Sequence, residues 1–123
     1  MKLTNAEEQL MEVIWANGDI FLKDIIESYP DPKPATTTVA TLLKRMQNKG
    51  FVTYTLMGNS RQYRPLVKKS DYFSTQVNSL IRNFFGSSAM QFASFFTTET
   101  NLTEAELEDL KKIVEHELKK KKS

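Results

Sequence analysis

Residues 33–65 read KPATTTVATLLKRMQNKGFVTYTLMGNSRQYRP. Val39, Leu42, Leu43 and Met46 stand at i, i+3, i+4 and i+7, the spacing of one buried helix face. The spacing predicts a helix from Ala35 or Thr36 to Lys49, with Gly50 ending it in the left-handed conformation that glycine allows. Thr37, Thr41, Lys44 and Asn48 fall on the opposite face, flanked by Thr38 and Arg45. Phe51 to Leu56 is β-branched and aromatic and is expected to be a strand. Gly58-Asn59-Ser60 has hairpin-turn chemistry, Arg61 to Arg64 forms the return, and Pro65, lacking an N–H, ends the ladder. Tyr63 should point inward.

Working outward, Pro30-Asp31-Pro32-Lys33-Pro34 cannot be helical and forms a stiff turn. Before it, Thr4 and Glu7 make a capping box. Leu10, Val13 and Ile14 then define a first helix from Asn5 to Ala16, closed by Asn17-Gly18, with Trp15 as a core anchor at its end. Asp19 to Leu22 is a connector that can add a short third strand. A second helix, Lys23 to Tyr29, has no side chain suited to capping it. After the hairpin, a fourth helix runs from the Ser70-Asp71 cap to Phe85, with Phe73, Val77, Leu80, Ile81, Phe84 and Phe85 apolar. A fifth runs from Ser87-Ser88 to about Phe96, and Thr97 to Asn101 is a polar loop. Thr103 and Glu106 form a second capping box. The sixth helix continues to about Lys120, with Leu107, Leu110, Ile113, Val114 and Leu118 inward.

The expected fold is mainly α with a small β-hairpin wing: a winged helix-turn-helix over residues 1–69, then three helices over 70–123. That last stretch offers more apolar face than so small a unit hides alone. A second copy in a twofold interface is the expected cover, with Phe73, Val77, Leu80, Ile81, Phe84, Phe92, Leu110, Ile113 and Val114 as its candidates.

Charge distribution says more than the net +2 of the 123 residues. Residues 1–31 carry two lysines against seven acids, a balance of −5. Residues 32–69 carry eight basic residues and no acid, +8. Residues 70–123 carry seven basic and eight acidic residues, −1. An acid-free basic block is the electrostatic footprint of a phosphate-binding surface. Threonine hydroxyls at the start of the third helix suit phosphate oxygens or base edges. Thr36, Thr37, Lys44, Lys49 and Arg61 are therefore the expected phosphate contacts on double-stranded DNA. The alternative is a winged-helix protein-interaction module that does not bind DNA.

Other chemistries find little material. No cysteine is present, which excludes disulfides and thiolate metal sites. No apolar run approaches 18 residues and no signal-peptide pattern leads the chain, so the cytoplasm is the expected location. The single histidine, His116, stands among lysines and glutamates and cannot build a triad or a His-based metal site. The acid pairs Glu7-Glu8 and Glu104/Glu106 are expected on exposed faces of capped helices. No phosphate-binding glycine loop is present. Neither an enzyme nor a cofactor is expected.

Three runs carry a resemblance: Leu3-Thr4-x-Ala6-Glu7 followed by Val13-Ile14-Trp15; Thr38-Val39-x-Thr41-Leu42-Leu43-x-Arg45-Met46-x-x-Lys49-Gly50; and Tyr63-x-Pro65. Leu102-Thr103-x-x-Glu106-Leu107-Glu108-x-Leu110 adds a weaker match. Together they resemble the penicillinase-repressor family (BlaI/MecI, with the copper-responsive CopY group). The resemblance implies a homodimeric winged-helix repressor whose third helix enters the major groove of a palindromic operator. It places base contacts at Thr38, Thr41 and Arg45, and Ala40 where some members carry arginine. It further implies a membrane sensor protease as partner, cutting within the fifth helix. The aligned bond lies between Phe95 and Phe96, with phenylalanine replacing the family's asparagine. The cysteine motif of the copper-responsive group is missing.

Overall fold

The computed structural model describes residues 2–123. Its elements are α1 (Asn5–Asn17), β1 (Ile20–Phe21), α2 (Leu22–Glu27), α3 (Thr36–Asn48), β2 (Val52–Met57), β3 (Ser60–Pro65), α4 (Lys69–Phe84), α5 (Ala89–Glu99) and α6 (Glu104–Lys122). The fold is mainly helical with a small antiparallel sheet, as the residue pattern predicts. The connector before α2 does supply a third strand, so the sheet order is β1-β3-β2. Ile20 and Tyr54 both pair across Tyr63, which anchors the hairpin in the core.

Thr4 starts α1 with both halves of its capping box formed. Gly18, at φ 73°, donates its N–H to Ile14 O and ends the helix. α2 follows Phe21, an N-cap residue that offers no side-chain bond, and leads to the proline turn. Lys33 secures that turn by donating from Nζ to the carbonyls of Glu27 and Tyr29, at 3.0 and 2.8 Å. Gly50, at φ 81°, turns the chain from α3 into β2.

The chain divides into two compact units, Met1–Gln76 and Val77–Ser123. The first holds the core. Leu10, Met11 and Ile14 from α1, Ile25 from α2, and Val39, Leu42, Leu43 and Met46 from α3 meet Val52 and Tyr63 of the sheet. Tyr72, from the first turn of α4, closes it: its hydroxyl accepts from Leu3 N at 2.9 Å and donates to Glu8 Oε2 at 2.7 Å. Burial and the Glu8 carboxylate hold that phenol above its usual pKa. Trp15 sits at the rim of the core and not at its centre. Its indole N–H needs a polar partner and finds Val67 O at 2.8 Å. Tyr29 is buried with a hydroxyl that lacks a partner among the described residues.

The second unit is built differently. No residue of α5 or α6 is buried. The rings of Phe85, Phe92, Phe95 and Phe96 touch one another, with Phe92 and Phe96 stacked at 6.2 Å. Met90, Phe84, Ile113, Val114 and Leu118 remain exposed. Ser88 caps α5, its hydroxyl accepting from Gln91 N, so the serine pair opens the helix as the residues suggest. The expected loop from Thr97 is corrected, because α5 continues to Glu99. Thr97 and Thr98 donate their hydroxyls to Ala93 O and Ser94 O, and Thr100 donates to Phe96 O. Threonine bonded back to the preceding turn is compatible with helix continuation.

Candidate nucleic-acid interface

The inner stripe of α3 is fully committed to the core: Val39, Leu42, Leu43 and Met46 are all buried. The helix is thereby fixed in rotation, and its outer face is fixed with it. Thr36, Thr37, Thr38, Ala40, Thr41, Lys44 and Arg45 are all exposed on that face. Ala35 is the N-cap residue and offers no side-chain bond, which leaves the leading N–H groups of the helix without an intrahelical partner. Thr41 donates its hydroxyl to Thr37 O at 2.8 Å, holding the side chain in one rotamer along the outer face.

The hairpin adds a second cationic element. The Arg61 guanidinium lies 4.4 Å from the centre of the Tyr54 ring, a cation–π placement that orients it. Arg64 donates to Thr55 Oγ1 at 2.9 Å. Leu56 and Met57, at the hairpin tip, are 63% and 51% exposed.

Glu7 departs from the expected exposed face. It is 0% exposed. Thr4 N donates to its Oε1 at 2.8 Å, and Lys49 Nζ donates to Oε1 and Oε2 at 3.0 and 2.8 Å. Arg45 Nη1 stands 3.7 Å from Oε2. Burial pushes the Glu7 carboxyl upward, but the Lys49 ammonium and the Thr4 N–H outweigh it and hold the group below the usual carboxylate range. The signal was available in the residues: Glu7, Leu10, Met11 and Ile14 stand at i, i+3, i+4 and i+7. Lys49 likewise extends the Leu42–Met46 stripe of α3. The fold thus brings the threonines, Lys44 and Arg45 onto one exposed surface, while Lys49 turns inward.

The basic block is less free than its sequence suggests. Lys69 pairs with Glu12 at 3.0 Å, and Lys33 lies 3.8 Å from Asp31. Acids of the N-terminal stretch fold back onto the block and offset part of its charge. Lys44 and Arg61 are exposed cations outside these pairs.

The remaining sequence candidates lie along the C-terminal helices. Phe73 is on the part of α4 that belongs to the first unit, against Trp15 and Tyr72. Val77, Leu80, Phe84, Ile113 and Val114 are exposed, while Ile81, Phe92 and Leu110 are half-buried. Phe95 and Phe96 sit inside α5, 48% and 37% exposed. Among the described residues, no cluster of histidine, cysteine and acidic side chains could hold a metal ion. No helix there is long and apolar enough to cross a membrane.

The pattern of the family described as penicillinase repressor matches residues 3–116. The penicillinase repressor of Bacillus licheniformis is 25% identical over 122 residues, which covers 98% of this chain and 95% of that protein. The methicillin resistance regulatory protein MecI of Staphylococcus aureus (strain N315) is 25% identical over 114 residues, covering 92% of this chain and 93% of its own. Among solved structures, the DNA-binding domain of the repressor BlaI superposes with a TM-score of 0.52 at 28% identity. It covers 58% of this chain and 88% of that domain.

Proposed function

The chain belongs to the penicillinase repressor family, and on that premise we propose that it is a cytoplasmic transcriptional repressor that binds duplex DNA. A family of repressors has no catalytic step to perform, so the chain is not an enzyme. The observation that carries the DNA reading is the outer face of α3. Its inner stripe is wholly buried, so the uncapped, threonine-rich and basic outer face presents as a rigid unit.

In this reading α3 lies in the major groove. Thr36, Thr37, Lys44 and the wing's Arg61 contact phosphates and set register, while Thr38, Thr41 and Arg45 read base edges. Ala40 contributes a methyl group at most. The repressor acts as a homodimer through the exposed apolar side chains of its C-terminal helices. Two copies read two half-sites of a palindromic operator. Release comes from a cut within α5, at the Phe95–Phe96 bond, by a membrane-bound sensor protease. The threonines at 97, 98 and 100 support that reading, since hydroxyls bonded to i−4 carbonyls weaken a helix end locally.

The test is a titration of the full chain against a duplex selected by it from a random-sequence library. Binding should weaken steeply with added salt, because phosphate contacts release counterions. Arg45→Ala should cost about 1–3 kcal/mol on the selected duplex. An unchanged affinity removes Arg45 from the interface, and a flat salt response overturns the DNA reading.

A further inference from the structure

We propose that Glu7 is a positioning residue for the DNA-facing end of α3, and that Lys49, which it holds, makes no phosphate contact. The inference rests on the DNA-binding reading above. Its ground is one carboxylate placed between two cations of different exposure.

The capping box fixes Glu7 before α3 is considered. Thr4 Oγ1 accepts from Glu7 N at 3.2 Å while Thr4 N donates to Oε1 at 2.8 Å. The periodicity of α1 then turns the carboxylate toward the core, where an unpaired charge is costly. The C-terminal end of α3 supplies the partner in its C-cap residue, Lys49. Lys49 lies on the inner edge of that helix and bonds both carboxylate oxygens. Arg45, one turn earlier, lies on the outer edge and is 52% exposed, with Nη1 at 3.7 Å from Oε2. The carboxylate therefore retains the ammonium and pulls on the guanidinium without covering it. Arg45 keeps its remaining N–H donors for a base edge, from a restricted set of side-chain directions. Lys49 has both its bonds directed inward, so no counterion is released from it when DNA binds.

The experiment uses the full chain, the duplex selected from a random-sequence library, and single-base variants of that duplex. The logarithm of the binding constant is followed against the logarithm of salt concentration. Lys44→Met should flatten the slope by about 0.9, the loss of one phosphate contact. Lys49→Met should leave the wild-type slope. Lys49→Arg keeps the pair and should leave both slope and base preference unchanged. Glu7→Gln keeps the shape of the cap and removes the charge. It should steepen the slope by about one, as Lys49 becomes available to a phosphate, and should relax base discrimination severalfold. A slope flattened by Lys49→Met as far as by Lys44→Met overturns the inference. So does a Glu7→Gln chain with wild-type slope and base preference. If Glu7→Gln does not fold, the lysine variants still decide it. A wild-type chain with no salt-dependent binding overturns the DNA reading itself, an outcome distinct from either of these.

Discussion

Thr4-Asn5-Ala6-Glu7 and Thr103-Glu104-Ala105-Glu106 are nearly the same four residues, and both form complete capping boxes. In both, hydrogen bonds from the capping threonine help hold the glutamate below the usual carboxylate range. Yet Glu7 is wholly buried between α1 and α3, and Glu106 is exposed. The difference lies in the helix that each box begins. α1 continues with Leu10, Met11 and Ile14 packed under α3, whereas α6 buries no residue in this chain. A local device acquires a second role when the helix it starts has something to pack against. The N-terminal unit is a finished core with a capped helix locked into it. The C-terminal unit has its helices and caps, and much of its apolar surface is exposed.

The largest expected effect tests the two cores. Leu43→Ala, at a side chain 1% exposed, should destabilise the first unit by about 3–4 kcal/mol in urea unfolding. Ile113→Ala, at a side chain 60% exposed, should cost under ~1 kcal/mol in a dilute monomer. A cost that grows with protein concentration would show that a second copy covers Ile113. Next come the two glutamates. Glu7→Ala should cost about 3 kcal/mol, because the half-buried Lys49 loses its partner. Glu106→Ala should leave the unfolding midpoint of the first unit unchanged, and a shift there would end the contrast.

Acid sharpens the same comparison. The folded pKa of Glu7 is depressed, so its contribution is fully present above about pH 4.3 and is lost as pH falls through the folded value. Unfolding followed from pH 7 to pH 3 should lose stability in that lower window, and Glu7→Gln should flatten the profile there. An equally steep profile in the Glu7→Gln chain would assign the acid sensitivity elsewhere. The smallest effects concern the caps. Thr4→Ala should cost about 1 kcal/mol and Thr103→Ala less, since the end of an exposed helix can fray without opening a core. Circular dichroism melts of the two variants, compared with wild type, measure both.

Much of this was legible in the residues. Period-3.6 stripes placed α1 and α3, and the Gly58 turn placed the hairpin. The outer face of α3 followed from its inner face, since both are fixed by the same rotation. What charge counting along the chain could not show was tertiary neutralisation. Glu7 and Lys49 are 42 residues apart, and Glu12 and Lys69 are 57 apart, so an acidic block and a basic block that look separate are in contact. Periodicity applied to charged residues as well as apolar ones would have turned Glu7 and Lys49 inward. α5 runs past its expected end because Thr97 to Glu99 is polar but holds neither glycine nor proline, and polarity alone does not stop a helix.

One hydrogen bond on the outer face of α3 has a chemical meaning for base choice. The Thr41 hydroxyl gives its only proton to Thr37 O. Toward a groove it therefore presents lone pairs and a methyl group, with no donor left. In the proposed docking, that favours the amino group of adenine or cytosine, or the 5-methyl of thymine, and disfavours guanine, whose major-groove edge offers acceptors alone.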